Sequence, residues 1–348
     1  MKYYRNFLLK LAAFIIGVCV LYVLFFIVLG KIGSLDSRSV KNFLLTNTVN
    51  ENRIIVESGS NSFHGINAKM IEDHFSKLTL NLGDYAGYPL KIRLYRTYKF
   101  AHKGDVVIYP LEYRYYMNDV APTVFYKHLL SEIYFYFDNL PFNEKLKVIL
   151  QTPASYVFIT GVKKAASNLK KLFRDKLPKE FDLKATLKEH RGDYLYQGPL
   201  PQKDDMKVPC DEYIFAKEIT GGRAAISETF KENIKLMKKI EKEKGVKFIF
   251  TYPTVIGESC YDFSGEKGAE FKKFLVELKN YVTSNGFEFI GDFNDSYLPD
   301  RKYMLDTWFH ANPDGRDVRT KKLIENLDKS NLKNDLYANG LQNSSISN

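Results

Sequence analysis

The chain has 348 residues, of which 45% are hydrophobic, a composition that is typical of globular proteins and excludes wholesale disorder. Its net charge of +10 is spread along the chain and suits an anionic membrane surface or polymer as well as nucleic acid. Because the sequence has no zinc-finger, RNP or arginine-rich motif, we expect no nucleic-acid partner.

An apolar run stands near the N-terminus. Residues 11–30, LAAFIIGVCVLYVLFFIVLG, carry no charge, and at about 1.5 Å per residue they match a hydrocarbon core of roughly 30 Å. The alternative is a cleaved signal peptide, whose apolar region is shorter and ends in a small-x-small site. We therefore expect residues 1–10 to form a tail and residues 11–30 an uncleaved anchor. No second run of spanning length follows, so we place the rest of the chain on one side of the membrane.

Strands and helices alternate after a polar stretch at 31–50, which we interpret as a stalk. Short apolar runs predict strands, and amphipathic runs that begin with proline or end with glycine predict helices. In chain order the predicted elements are RIIVE (strand), GINAKMIEDHFSK (helix), LTLNLG (strand), PLKIRLYRTYKFAHKG (helix) and DVVIYPLEY (strand).

The alternation is interrupted at about 120–222, which we interpret as a helical and loop insertion. It then resumes with a helix that places Ile226, Phe230, Ile234, Met237 and Ile240 on one face and stops at Gly245. VKFIFTYP and FEFIGDF follow as strands, separated by a second helix with Phe271, Phe274, Leu275, Leu278 and Val282 on one face, and GRDVRTKKLIENL makes the last helix. This order predicts an α/β domain over 51–330, a doubly wound, mostly parallel sheet with helices on both faces. We expect a disordered polar tail at 331–348.

The stretch ESGSNSFHG joins the first predicted strand to the first helix of the domain. Ligands bind such sheets at the carboxyl ends of the strands, and helix N-termini stabilise negative charge. Ser60 is therefore a candidate nucleophile. The alternative is that Ser58, Ser60 or Ser62 merely caps the helix. We interpret His64 as a lining or surface residue.

Two residues near the C-terminus, Asp306 and His310, stand in a loop before the last helix. An imidazole oriented by a carboxylate takes the proton of a serine hydroxyl, which makes the pair a candidate base. The alternative is a histidine that only fills a surface loop. Trp308 lies between them and is a candidate wall of the pocket.

Polar residues also follow the second and third strands. Gly83 is a candidate donor of a backbone N–H to an oxyanion, and Glu112 and Asn118 are candidate lining residues.

These blocks together resemble the SGNH, or GDSL-like, hydrolase superfamily. Its nucleophilic serine follows the first strand, as Ser60 does in ESGSNSFHG, and its aspartate and histidine lie in a C-terminal block, as in DTWFHANPDG. The resemblance implies a Ser60–His310–Asp306 relay, with oxyanion donors at Ser60, Gly83 and an asparagine such as Asn118. The chain departs from the family in three ways. It has Ser-Gly-Ser for Gly-Asp-Ser, PLEYRYYMND for the Gly-x-Asn-Asp block, and four residues from aspartate to histidine, where three is usual.

The single span makes the chain similar to a membrane-anchored branch of that superfamily, the alginate-type O-acetylation proteins and the D-alanyl transfer protein of teichoic acid synthesis. This resemblance implies a single-pass protein of the cytoplasmic (inner) membrane with its catalytic domain outside the cytoplasm. It implies a serine acyltransferase or esterase that acts on a cell-surface glycan or envelope polymer, beside a multi-spanning acyltransferase and with no cofactor or metal. The alternative is a non-catalytic SGNH-like factor that binds or assembles surface polysaccharide.

Two cysteines, Cys210 and Cys260, lie outside the apolar run, and no CxxC pattern joins them into a metal site. A disulfide between them would place the domain in an oxidising compartment, whereas two unrelated buried thiols are the alternative.

Overall fold

The computed structural model describes residues 2–31, 39–117, 122–130, 134–172, 189–194, 224–256, 265–307 and 309–337. The chain divides into two compact units. The first, here called the helical unit, comprises Met1–Ser39 and Thr123–Phe181. The second, the sheet unit, comprises Val40–Pro122 and Asp182–Asn348.

The sheet unit is built on five strands, every neighbouring pair of which is parallel. They are β1 (Ile54–Val56), β2 (Thr79–Asn81), β3 (Val106–Tyr109), β4 (Lys247–Phe250) and β6 (Glu288–Phe289), in the order β2-β1-β3-β4-β6. Two further short strands, β5 (Val255–Ile256) and β7 (Tyr297–Leu298), pair with each other in a separate parallel ribbon. The predicted α/β class with a mostly parallel sheet is therefore confirmed.

The strand order fixes where a ligand site is expected. Counted along the chain, the five strands run 2-1-3-4-5, so the connections from β1 and from β3 leave in opposite directions across the sheet. Ligands bind α/β sheets of this order at the carboxyl ends of the two central strands at the switch. Here those ends are Val56 of β1 and Tyr109 of β3. The two strands are neighbours in the sheet, and Ile55 of β1 lies opposite Val107 of β3.

The helices are numbered in chain order. They are α1 (Lys2–Lys31), α2 (Ser39–Asn47), α3 (Ser60–Gly65), α4 (Ala68–Phe75), α5 (Leu90–Phe100), α6 (Arg114–Met117), α7 (Pro122–Leu129), α8 (Tyr134–Asn139), α9 (Phe142–Gln151), α10 (Ala154–Leu172), α11 (Glu228–Lys244), α12 (Glu266–Ser284), α13 (Pro313–Leu327) and α14 (Lys333–Leu336). Two 3-10 helices, Phe293–Ser296 and Arg301–Tyr303, precede α13.

Both faces of the sheet are covered, because alternate strand residues point to opposite sides. Ile54, Val106 and Ile249 pack with residues of α4 and α13, including Ile71, Phe75, Leu323 and Leu327. Their neighbours Ile55, Val107 and Phe248 pack with α5, α11 and α12. Four of the five residues predicted on one face of α11 and all five predicted on α12 are buried in that second layer, while Ile226 lies just before α11 and is half-buried. The predicted stop at Gly245 is a left-handed cap with φ 68°.

Three segments differ from the sequence-based expectations. The predicted stalk at 31–50 contains α2, whose Leu44 and Leu45 join the core of the sheet unit. The predicted helix at 65–77 is preceded by a separate helix, α3, and the extended backbone of Ile66 (φ −127°) divides α3 from α4. The polar tail predicted from residue 331 begins with the short helix α14, because its Leu336 is buried among the core residues beneath the sheet.

The helical unit contains α1, which is long and apolar enough to cross a membrane. Phe26 of α1 packs on Phe137 of α8 with ring centroids 5.4 Å apart, and Phe25 packs on Phe158 of α10. The described part of the predicted insertion at about 120–222 is largely helical, from α7 to α10. Residues 120–121, 131–133, 173–188 and 195–222 of that insertion lie outside the described residues.

Candidate functional site

Ser60 is the first residue of α3 and follows β1 after a link of three residues. Gly59 caps the helix with an extended backbone (φ −82°, ψ −154°), which turns the chain directly from the strand into the helix. Ser60 is half-buried. Among the residues that the structure describes, no hydrogen bond involves its hydroxyl or its N–H, so both groups are available to a ligand.

The buried carboxylate of Glu112 holds the turn around Ser60 by accepting hydrogen bonds from the residues on either side of that serine. Its Oε2 accepts the Gly59 N–H at 3.3 Å and its Oε1 accepts the Asn61 N–H at 3.1 Å. Burial raises the pKa of Glu112, whose side chain follows β3 and is 2% exposed. The prediction from sequence that Glu112 lines the substrate pocket stays a prediction. Its contacts in the structure show that it positions the turn that carries Ser60.

Two more bonds tie the same turn to the end of β3. The Ser58 hydroxyl donates to the Pro110 carbonyl at 2.7 Å, and the Asn61 side chain donates to the same carbonyl at 2.8 Å. Ser62 instead makes a local bond, from its hydroxyl to the Gly59 carbonyl at 3.2 Å. The serine-rich turn is thus fixed across the switch point of the sheet by buried polar contacts.

His310 and Asp306 meet in a closed loop that precedes α13. An antiparallel β-bridge between Met304 and Ala311 joins the two ends of the loop. The Leu305 N–H also donates to the His310 carbonyl at 2.8 Å. Within the loop, His310 Nδ1 lies 2.8 Å from Asp306 Oδ1. This bond lowers the pKa of Asp306, whose side chain is 72% exposed. The four-residue spacing of the pair therefore permits the contact that a base–orienter pair needs.

His64 connects the loop to α3. It lies four residues after Ser60, so the two side chains share one face of α3. The ring of His64 lies 4.3 Å from that of His310, centroid to centroid. His310 is thereby held against the helix that Ser60 begins, although within the described part of the chain no hydrogen bond joins Ser60 to His310. Burial, and then the neighbouring His310, lower the pKa of His64 to about 3, so His64 is neutral near pH 7.

Gly83 follows β2 and packs against α3. A Cβ at this position would lie 2.6 Å from the Phe63 nitrogen, which explains a glycine there. Its N–H donates to Asn81 Oδ1 at 3.0 Å, so the predicted oxyanion donor is already engaged in this structure. Its carbonyl accepts a hydrogen bond from Lys41 Nζ.

Lys41 of α2 is a buried lysine beside the site. Its ammonium lies 4.2 Å from the centre of the Phe63 ring. Burial lowers the pKa of Lys41 to about 7, although the neighbouring Asp84 opposes that change. Lys41 lies in the stretch predicted as a stalk, and its burial was not expected, since a lone lysine in a polar stretch carries no signal of burial.

Asp193 and Tyr194 were also missed, because they lie inside the predicted insertion. Asp193 accepts the Ala68 N–H at 2.8 Å and the Asn81 side chain at 3.0 Å, and burial raises its pKa to about 6. The Tyr194 ring lies 4.9 Å from that of His64. This short segment therefore closes one side of the site.

The remaining predicted residues lie outside the described residues. They are Asn118, Trp308, Cys210 and Cys260. Among the described residues, no group of three or more His, Cys, Asp and Glu side chains has an arrangement that suits a metal ion.

No model of a protein family matches the chain, and no curated protein matches it. The likeness to SGNH hydrolases therefore stays a resemblance of motifs.

Proposed function

We propose that this protein is a membrane-anchored serine acyltransferase or esterase of the SGNH type. Ser60 is the nucleophile, His310 the base and Asp306 the carboxylate that orients the base. The observation that carries the proposal is the His310–Asp306 bond of 2.8 Å in a loop whose histidine packs on α3, the helix that begins with Ser60. Serine, histidine and aspartate come together in this way in acyl transfer on unrelated folds.

The chemistry follows from which imidazole nitrogen is engaged. Asp306 occupies Nδ1 of His310, which leaves Nε2 for the serine hydroxyl. Ser60 Oγ attacks the acyl carbonyl while His310 takes the hydroxyl proton, and the leaving alcohol then receives that proton as its bond to the acyl carbon breaks. A hydroxyl of the acceptor attacks the Ser60 ester in the same way and regenerates the serine. In free enzymes the catalytic hydrogen bonds are often long, and we infer that substrate closes the one between Ser60 and His310.

The negative charge that forms on the attacked oxygen needs donors close to Ser60. The Ser60 N–H at the start of α3 is one, and it has no competing acceptor among the described residues. The Gly83 N–H serves only if Asn81 releases it. Asn118 remains the predicted third donor.

The apolar helix α1 supports membrane anchoring, and we propose that the domain works outside the cytoplasm on a glycan or envelope polymer. Anchoring keeps the catalyst near a multi-spanning acyltransferase, which would supply acyl groups at a high effective concentration. The net charge of +10 favours an anionic polymer as the acceptor.

The test is acyl transfer by the full chain in detergent micelles, from a labelled acetyl ester, with and without glycan oligomers. We expect acylated glycan to form in preference to acetate, and Ser60→Ala to lower turnover by about a thousandfold or more. Ser62→Ala is the matched control, because that serine is on the same helix and its hydroxyl donates to the nearby Gly59 carbonyl. Normal turnover by a folded Ser60→Ala protein contradicts the proposal. Release of acetate with no acylated glycan would show that the protein is an esterase and not a transferase.

A non-catalytic binding factor is the second candidate. It is favoured by the occupied Gly83 N–H and by the fact that, in the part of the chain that the structure describes, no hydrogen bond joins Ser60 to His310. For this candidate, glycan oligomers bind the full chain with the same affinity before and after Ser60→Ala, and neither protein turns over an ester.

A further inference from the structure

Helices α9 and α10 of the helical unit, here called the hairpin, are apolar on two sides. Val148, Ile149 and Val157 are buried. The opposite sides expose large apolar side chains: Phe142 (81%), Leu146, Leu150 (76%), Phe158, Ile159 and Val162 (70%). Residues 142, 146 and 150 are spaced by four, as are 158 and 162, so each helix bears a continuous outward stripe. Helices that face water normally show charged and polar residues on that side.

The hairpin lies alongside the apolar run of α1. The Tyr22 hydroxyl donates to the Thr152 carbonyl at 3.3 Å, between α9 and α10. Farther along, Phe25 packs on Phe158 with centroids 6.0 Å apart, and a Cβ on Gly161 would lie 3.4 Å from Leu29. Tyr22, Phe25 and Leu29 all belong to residues 11–30, the predicted span. From Tyr22 to Leu29 the helix rises about 10 Å, so α10 follows α1 through a substantial part of one leaflet's depth.

The backbone at the tip of the hairpin is satisfied within the protein. The Val148 carbonyl accepts both the N–H and the hydroxyl of Thr152, at 2.9 and 2.7 Å. The Thr152 carbonyl accepts Tyr22, and the Pro153 carbonyl accepts the Tyr156 N–H at 2.9 Å. A turn in water needs no such partners, whereas a turn at membrane depth does, because hydrocarbon supplies no hydrogen bonds.

We propose that the hairpin is embedded in the bilayer beside α1, with its outward stripes against lipid acyl chains. The inference rests on the anchoring of α1, which is part of the proposed function. Lipid is the occupant that the contacts favour, because α10 and the turn between α9 and α10 pack on the apolar span. Exposed Lys147 and Lys163 on the same helices have side chains long enough to reach anionic headgroups.

The experiment uses the full chain in vesicles of phosphatidylethanolamine and phosphatidylglycerol that contain a phospholipid with a diazirine on its acyl chain. After irradiation, mass spectrometry locates the lipid adducts. We expect adducts on α1 and on the outward residues of α9 and α10. We expect none at Val276, an exposed apolar residue of α12 in the sheet unit, which serves as the control because its exposure (57%) is close to that of Phe158 (59%).

Adducts on α1 without adducts on the hairpin overturn this inference, leave the anchor intact and assign the stripes to a protein partner. Absence of adducts on α1 as well would contradict the anchoring itself. A second measurement uses Leu150→Trp in a Trp308→Phe background, with lipids brominated on the acyl chain as quenchers. We expect Leu150→Trp to lose most of its emission and the control Val276→Trp to keep it. Equal emission from the two variants overturns the inference.

Discussion

The two halves of the candidate site are built differently. The turn around Ser60 is held by buried polar bonds that reach across the sheet, from Glu112 and from Asn61 to the residues that follow β3. The loop of His310 is held mainly by its own backbone and by a bond to an exposed carboxylate, that of Asp306.

This difference indicates a division of labour. Buried polar groups that lose a partner cost stability, because water does not replace the partner. Exposed ion pairs are worth little to stability, because solvent screens them. We therefore expect loss of Glu112, which supports the turn around Ser60, to lower the stability of the fold. We expect loss of the exposed Asp306 carboxylate to affect mainly the chemistry.

The strongest test of the contrast is Glu112→Ala. The change leaves the Gly59 and Asn61 N–H groups without their acceptor, and we expect the free energy of unfolding to fall by about 4 kcal/mol, at 1–3 kcal/mol per orphaned group. Urea unfolding of the full chain in detergent measures it. Glu112→Gln keeps one acceptor oxygen and should lose less. A Glu112→Ala protein as stable as the wild type would contradict the claim that buried polar bonds hold the turn around Ser60.

A change in stability of intermediate size is expected for Lys41, whose Nζ donates a hydrogen bond to the Gly83 carbonyl. Its pKa is lowered from 10.5 to about 7, so above pH 7 the unfolded chain binds a proton that the folded chain lacks. Stability should therefore rise between about pH 7 and pH 10, by on the order of 3 kcal/mol, and this rise should disappear in Lys41→Met.

The matched control for that prediction is Lys69→Met on α4, because Lys69 is largely exposed and forms a surface ion pair with Asp73. The groups that act on Lys41 are Asp84, Arg96, Glu57 and Asp193. Unfolding free energies at several pH values compare the three proteins. The same pH slope in the wild type and in Lys41→Met would show that Lys41 is charged and hydrated in the folded state.

The smallest effect on stability is expected for Asp306→Asn. Because the carboxylate is 72% exposed, the free energy of unfolding should change by about 1 kcal/mol or less. Turnover should nevertheless fall by orders of magnitude, since the carboxylate orients His310. Ester hydrolysis and thermal unfolding of the same sample separate the two effects. Full turnover in Asp306→Asn would remove Asp306 from the relay.

The sequence was sufficient for the sheet and its main helices, because apolar spacing alone marks elements such as β3 and α11. It also identified Ser60 and the Asp306–His310 pair as candidates. The role of His64 was hidden because SNSFHG resembles a turn, and only its folding as a helix puts residues 60 and 64 on one face. The sequence indicated Glu112 as a candidate site residue but not its support of the turn around Ser60. That support is a contact with Asn61, about fifty positions away in the chain.

Lys41 and Asp193 were beyond sequence reasoning for a related reason. Each is a charged residue in a polar stretch, where exposure is the usual outcome. Their burial is decided by tertiary contacts, with Gly83 in one case and with Ala68 and Asn81 in the other. The pattern of a single segment carries no trace of such contacts.

The central claim is that Ser60 is an activated nucleophile, and covalent labelling of the full chain with a fluorophosphonate tests it most directly. We predict one phosphonyl adduct, located on Ser60 by peptide mass spectrometry. The adduct should be absent in Ser60→Ala, formed much more slowly in His310→Ala, and unchanged in the control Ser62→Ala. A folded protein that takes no adduct, or takes it at a serine other than Ser60, would contradict the account.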